Sequence, residues 1–195
     1  MTSLSKFLTT LGVVAGLGAS MVPLASYAAD PVSDGKNIGL TATVGPVISI
    51  TIDEADDQSG DASYAEGALD LGTINPNSAV ATGAVKVSVA TNSSSGYQLS
   101  ISAGEGGNAL KSGDDSIPAG TPTRGQSAWG YAVDATGSNY DWKSLPGSGS
   151  TSIKSTSSYK AAADDTVVTF GVTASNSQPS GEYTGSVVFT ATVGQ

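Results

Sequence analysis

Apolar residues in this chain recur at every second position again and again, and almost never at helical spacing, which is the pattern of half-buried β-strands. From Ile38 they fall on even numbers: Ile38, Leu40, Ala42, Val44, Pro46, Ile48, Ile50 and Ile52. One strand face would collect all of them. Gly45-Pro46 interrupts the run, and proline lacks the donor a ladder needs. Two short strands are therefore expected, with the chain free to change sheets at that dipeptide. Leu69-Asp-Leu71-Gly-Thr-Ile74 predicts another, ended by Asn75-Pro76-Asn77. Val85, Val87 and Val89 alternate with Lys86 and Ser88. The polar stretch Thr91-Asn-Ser-Ser-Ser-Gly96 then leads into Tyr97, Leu99, Ile101 and Ala103, which predicts a hairpin. Trp129, Tyr131 and Val133 form a further run, between loose segments at 104–126 and 134–165. Val168, Phe170, Val172 and Ala174 share one face. Tyr183, Val187, Phe189, Ala191 and Val193 share another, with Thr184, Ser186, Thr190 and Thr192 opposite. Seven to nine strands without a helix predict an all-β, single antiparallel sandwich of immunoglobulin-like or pilin-like type, spanning residues 37–195.

The first 28 residues break the pattern. Lys6 is their only charge, and an uncharged, largely apolar run extends from Phe7 to small residues at Ala25-Ser-Tyr-Ala-Ala29. A positive start, an apolar middle and a small-residue end are the parts of a secretory signal peptide. Ser26 and Ala28 suit the positions three and one before a cut, so cleavage is expected after Ala28, with Ala29 the other candidate. Gly16, Gly18 and Pro23 interrupt the run, which is marginal for spanning a bilayer needing roughly 20 apolar residues. The expected product is extracellular or held at the cell surface, with residues 29–36 as a flexible leader and no membrane contact after cleavage.

Composition narrows the chemistry. The chain has no cysteine and no histidine, which removes disulfides, thiolate chemistry, the usual general base and the usual zinc ligand. Its net charge of −9 becomes −10 without Lys6, a poor match for nucleic acid. A Ser-Lys dyad finds no suitable context: Lys86 is on the polar phase of its strand, and Lys36, Lys111, Lys143, Lys154 and Lys160 lie in polar stretches. The acids sit in loops or at strand ends. No enzyme is expected.

Three groups invite a closer look. Asp53, Glu54, Asp56, Asp57 and Asp61 offer the hard oxygens that calcium takes, but their spacing is not that of an EF-hand, so the segment reads as a solvated loop and no cofactor is expected. Trp129, Tyr131, Tyr140 and Trp142 either pack in the core or line a sugar-binding face; the in-phase pair Trp129 and Tyr131 fits the core, while Tyr140 and Trp142 are the candidate ligand contacts. Finally, Thr41-Ala-Thr-Val-Gly45 recurs as Thr190-Ala-Thr-Val-Gly194. Composition alone produces such a repeat, or it marks equivalent strands near the two ends of the sandwich.

The order of motifs is itself informative: an early Thr-Ala-Thr-Val strand, Leu69-Asp-Leu-Gly-Thr-Ile-Asn-Pro76, Val85-Lys-Val-Ser-Val-Ala-Thr-Asn92, Ser95-Gly-Tyr-Gln-Leu-Ser-Ile101, Ser127-Ala-Trp-Gly-Tyr-Ala-Val133 and Gly181-Glu-Tyr-Thr-Gly-Ser-Val-Val-Phe-Thr-Ala-Thr192. It resembles the secreted β-sandwich surface proteins of Saccharibacteria and, more distantly, is similar to WxL-type and pilin-like cell-surface domains. The Trp-x-Leu motif is not matched: Trp142-Lys-Ser-Leu145 has one residue too many, and Val188-Phe-Thr-Ala stands where the second motif would be. The resemblance implies a non-enzymatic structural or adhesive protein at the cell surface. Its expected partners are a surface or host glycan or protein, or a second copy met through the terminal strand. The alternative is an extracellular glycan-binding module.

Overall fold

The computed structural model describes residues 42–54, 63–65, 67–135 and 138–194. The signal segment, the leader, the start of the alternating run at 38–41 and the acidic positions Asp56, Asp57 and Asp61 lie outside the described residues. Among the described residues there are eleven strands and no helix. In chain order these are β1 (Ile48–Glu54), β2 (Ser63–Ala65), β3 (Ala68–Asp70), β4 (Ala81–Thr91), β5 (Tyr97–Ala103), β6 (Leu110–Ser112), β7 (Asp115–Ile117), β8 (Ala128–Val133), β9 (Ser150–Ser155), β10 (Lys160–Thr173) and β11 (Val187–Val193).

The count exceeds the seven to nine expected because β2, β3, β6 and β7 are three-residue strands that form two small hairpins. The larger strands build two antiparallel sheets, ordered β1-β4-β10-β8 and β11-β5-β9. Val85, Val87 and Val89 of β4, and Val168, Phe170 and Val172 of β10, meet Tyr97, Leu99 and Ile101 of β5 in one core. Alternation places these side chains on the inner faces, and full burial of each is worth about 1.5–3 kcal/mol. Thr43–Gln195 form one compact unit.

The core is mostly apolar, and the buried polar residues are Ser88, Thr91, Thr166, Thr169 and Thr173. Among them, Thr166 faces the same interior as Val168, is fully buried, and leaves its Oγ1 without a hydrogen-bond partner among the described residues. Such a group costs about 1–3 kcal/mol. Backbone pairing explains the position: Thr166 opposes Val87 in an uninterrupted β4–β10 ladder that runs from Asp164 to Val172.

The expected hairpin between β4 and β5 does not form. Both edges of β4 are taken, by β1 and β10, and both edges of β5 by β9 and β11. The segment Asn92–Gly96 instead carries the chain from one sheet to the other. The two apolar rows therefore face each other across the core, where a hairpin would have set them side by side. Gly96 makes this corner possible at φ 74°, a conformation glycine adopts without steric cost. Its N–H donates to Ser93 O at 3.1 Å, and its carbonyl accepts from Gly194 N at 2.9 Å.

The acidic segment also begins differently from the reading above. Asp53 and Glu54 close strand β1, opposite Lys86 and Val85 of β4, so the loop starts after them. Within the alternating run, residues 42–47 carry no strand, and the chain enters β1 only after Gly45-Pro46.

Candidate interaction surface

The four aromatic residues separate onto opposite sides of one sheet. Trp129 and Tyr131 point inward from β8 and are almost fully buried. Trp129 Nε1 donates to Asn108 O at 2.9 Å, and its ring lies 6.4 Å from that of Phe170. Burial raises the Tyr131 hydroxyl pKa, opposed by a side-chain bond with Thr151. The core reading of this pair holds.

Tyr140 and Trp142 lie on the outer side. Their rings stack with centroids 4.7 Å apart and planes 26° from parallel. Lys143 fixes the segment along the edge of β8, donating from its N–H to Tyr131 O at 2.7 Å and accepting from Tyr131 N at 2.9 Å. The outer edge of the Trp142 indole rests on Gly171 of β10, where any Cβ would fall within the ring. Gly171 pairs with Thr82 on one side and Gly130 on the other, so a row of small residues makes the shallow seat this ring needs. Both aromatics are half-buried. One face of each ring is spent on the other, and Trp142 serves to cover the sheet. The structure thus brings the two candidate ligand contacts together and keeps them apart from Trp129 and Tyr131.

A polar cluster that sequence reasoning missed joins the two sheets. Lys154 of β9 donates from Nζ to Asp164 Oδ1 at 2.9 Å and to Asp165 O at 2.7 Å. The Tyr97 hydroxyl donates to Asp164 Oδ2 at 3.0 Å, and Ser88 Oγ to Asp165 Oδ1 at 2.6 Å. The Lys154 and Asp164 side chains are only 23% and 22% exposed, which corrects the placing of Lys154 in a merely polar stretch. For Asp164, burial raises the pKa, but the bonds from Lys154 and Tyr97 and the charges of Lys154 and Lys160 outweigh it and hold the carboxyl below the usual range. Burial, then the bond to Asp164, pushes the Tyr97 hydroxyl well above the ordinary tyrosine value. The cluster is an ionic clasp between β9 and β10. Its carboxylate is held in the charged form, and its ammonium donates to both the Asp164 carboxylate and the Asp165 carbonyl. The only sequence signal was Ile153-Lys154, too short to show a period.

The third feature is the strand edge. β11 pairs with β5 over seven uninterrupted residues, from Val187↔Ala103 to Val193↔Tyr97, and with no other named strand. It contains no charge and no proline. Val187, Phe189 and Ala191 lean on the core, while Val188, 44% exposed, and Thr190 and Thr192 face outward. Near it stands β1, also an edge strand, with Ile50 exposed. Natural edge strands are usually blunted by charge, proline or a bulge. None of these devices is present in β11.

Among the described residues there is no group of three or more acidic side chains arranged to hold a metal ion. The chain matches no protein-family model and no curated protein.

Proposed function

We propose that this protein is exported and works by contact: a structural or adhesive protein of the cell surface that associates through its last strand. The observation that carries the reading is β11, a seven-residue strand that pairs on one side only among the described residues, with no charge, no proline and no bulge. Such an edge accepts another strand through backbone hydrogen bonds, and alternate side chains supply selectivity. The signal-like first 28 residues and the absence of cysteine and histidine support a contact role over a catalytic one.

The test is self-association measured by analytical ultracentrifugation over a concentration series. The wild-type chain should form multimers. The double substitution Val188→Lys/Thr190→Lys places two charges on the outward face of β11, at exposed positions, and should leave monomers with an unchanged β-sheet circular dichroism spectrum. A wild-type chain that stays monomeric throughout the series would remove the self-associating form of the proposal.

A further inference from the structure

The partner strand for β11 can be named from this chain itself. We infer that residues 38–44 of one copy add, in a second copy, to the edge of β11 that pairs with no strand among the described residues, parallel and in register. This inference rests on the contact function proposed above.

The recurring pentapeptide carries it. Thr41-Ala-Thr-Val-Gly45 has the same sequence as Thr190-Ala-Thr-Val-Gly194, the end of β11. Laid parallel with the repeats aligned, Thr41 stands beside Thr190, Ala42 beside Ala191, Thr43 beside Thr192 and Val44 beside Val193. The alignment continues upstream without a gap. Ile38 falls beside Val187 and Leu40 beside Phe189, so every residue on the core side of β11 meets an apolar neighbour. The other side pairs Thr with Thr twice and sets Gly39 against the exposed Val188. Residues 38–44 also equal β11 in length, at seven residues.

The described part of the segment is placed to reach a neighbour. Residues 45–47 are pinned to the β4–β5 corner: Gly45 O accepts from Asn92 Nδ2 at 3.0 Å, Val47 N donates to Asn92 Oδ1 at 2.6 Å, and Val47 O accepts from Thr91 Oγ1 at 2.9 Å. Just before this clamp, Ala42, Thr43 and Val44 are exposed and in no strand, and Val44 is 83% exposed. Thr43 and Val44, next to a fixed corner, are thus exposed and outside any strand. Donor and acceptor are different surfaces, so their pairing is head-to-tail and builds open chains of copies.

Single cysteines test this cleanly in a chain that has none. Thr43 and Thr192 are both exposed and stand side by side in the inferred register. One full-length chain carries Thr43→Cys, a second carries Thr192→Cys, and the two are mixed under mild oxidation. A Thr43→Cys to Thr192→Cys linked dimer on a non-reducing gel, confirmed by peptide mass spectrometry, is the expected result. A bridge that forms only within a chain carrying both substitutions overturns the inference, since the segment then serves its own domain. The absence of any bridge also overturns it. Ultracentrifugation of the wild-type chain separates the two failures: multimers without the bridge leave the contact function standing on other strand pairs, whereas monomers without the bridge remove both.

Discussion

At the residue scale, the strongest electrostatic device is the clasp of Tyr97, Lys154 and Asp164, and its effect on stability has a defined pH window. The folded-state pKa of Asp164 is depressed, so the unfolded chain takes up this proton more readily. Its stabilising effect is present above the unfolded value of about 3.9 and is lost as pH falls through the lower folded value. The Tyr97 hydroxyl behaves in the opposite sense. Its folded pKa is raised, so its contribution is complete below the unfolded value of about 10 and is lost as pH rises beyond it. Asp164→Asn should therefore cost about 1–3 kcal/mol at neutral pH, because Lys154 and Tyr97 keep their burial and lose a charged acceptor. The gap between wild type and variant, read from urea unfolding, should close below about pH 4. A gap that persisted undiminished into acid would show that packing around residue 164, rather than its charge, matters. None of this was legible in the sequence. Tyr97 announced itself as a core residue through its phase with Leu99 and Ile101, but its partner Asp164 lies 67 positions away in a strand whose first half has a weak pattern.

At the element scale, legibility followed apolar alternation. The inner faces of β4, β5, β8, β10 and β11 were readable because Val, Leu, Ile, Phe and Trp alternate along them and end up buried, or half-buried in β11. β9 was not, because Ser150–Ser155 is an edge strand with Ile153 as its only apolar side chain, and edge strands need only one partner to form. The first half of β10 was hidden for a related reason: its register shifts between Lys160 and Asp164, so no single period runs through it. The corner at Asn92–Gly96 shows a deeper limit. Two alternating runs and a short polar link describe a hairpin and a sheet-to-sheet crossing equally well, and competition for strand edges elsewhere in the chain decides between them. The crossing does make its own demand. A Cβ on Gly96 would collide with the backbone carbonyl of Thr156, at a φ that side chains rarely adopt. Gly96→Ala should destabilise the fold by roughly 1–3 kcal/mol from overpacking alone, and left-handed strain adds to this. A hairpin would place residue 96 away from Thr156, so a neutral Gly96→Ala in thermal unfolding would count against the crossing.

At the scale of the whole molecule, charge and strand edge pull against each other. The chain carries −9 overall, yet the strand proposed to join copies is free of charge. Bringing two such molecules together costs repulsion between their acidic surfaces, and no pair of opposite charges on β11 offsets it. That repulsion reaches about 30 Å at 0.01 M salt and only about 8 Å at physiological ionic strength. Backbone hydrogen bonds and apolar burial at the joint respond far less to salt. Association should therefore tighten as sodium chloride rises from 0.01 M to about 0.15 M, with the larger part of the gain complete by the upper value, as the screening length predicts. The opposite slope, with multimers dissolving as salt is added, would mean that ion pairs hold the contact, and would move the interface from β11 to surfaces that carry lysine. The measurement is a sedimentation series at fixed protein concentration. Val188→Lys/Thr190→Lys serves as its reference, since charged side chains on the strand edge oppose pairing, and it should associate more weakly than the wild type at every salt concentration.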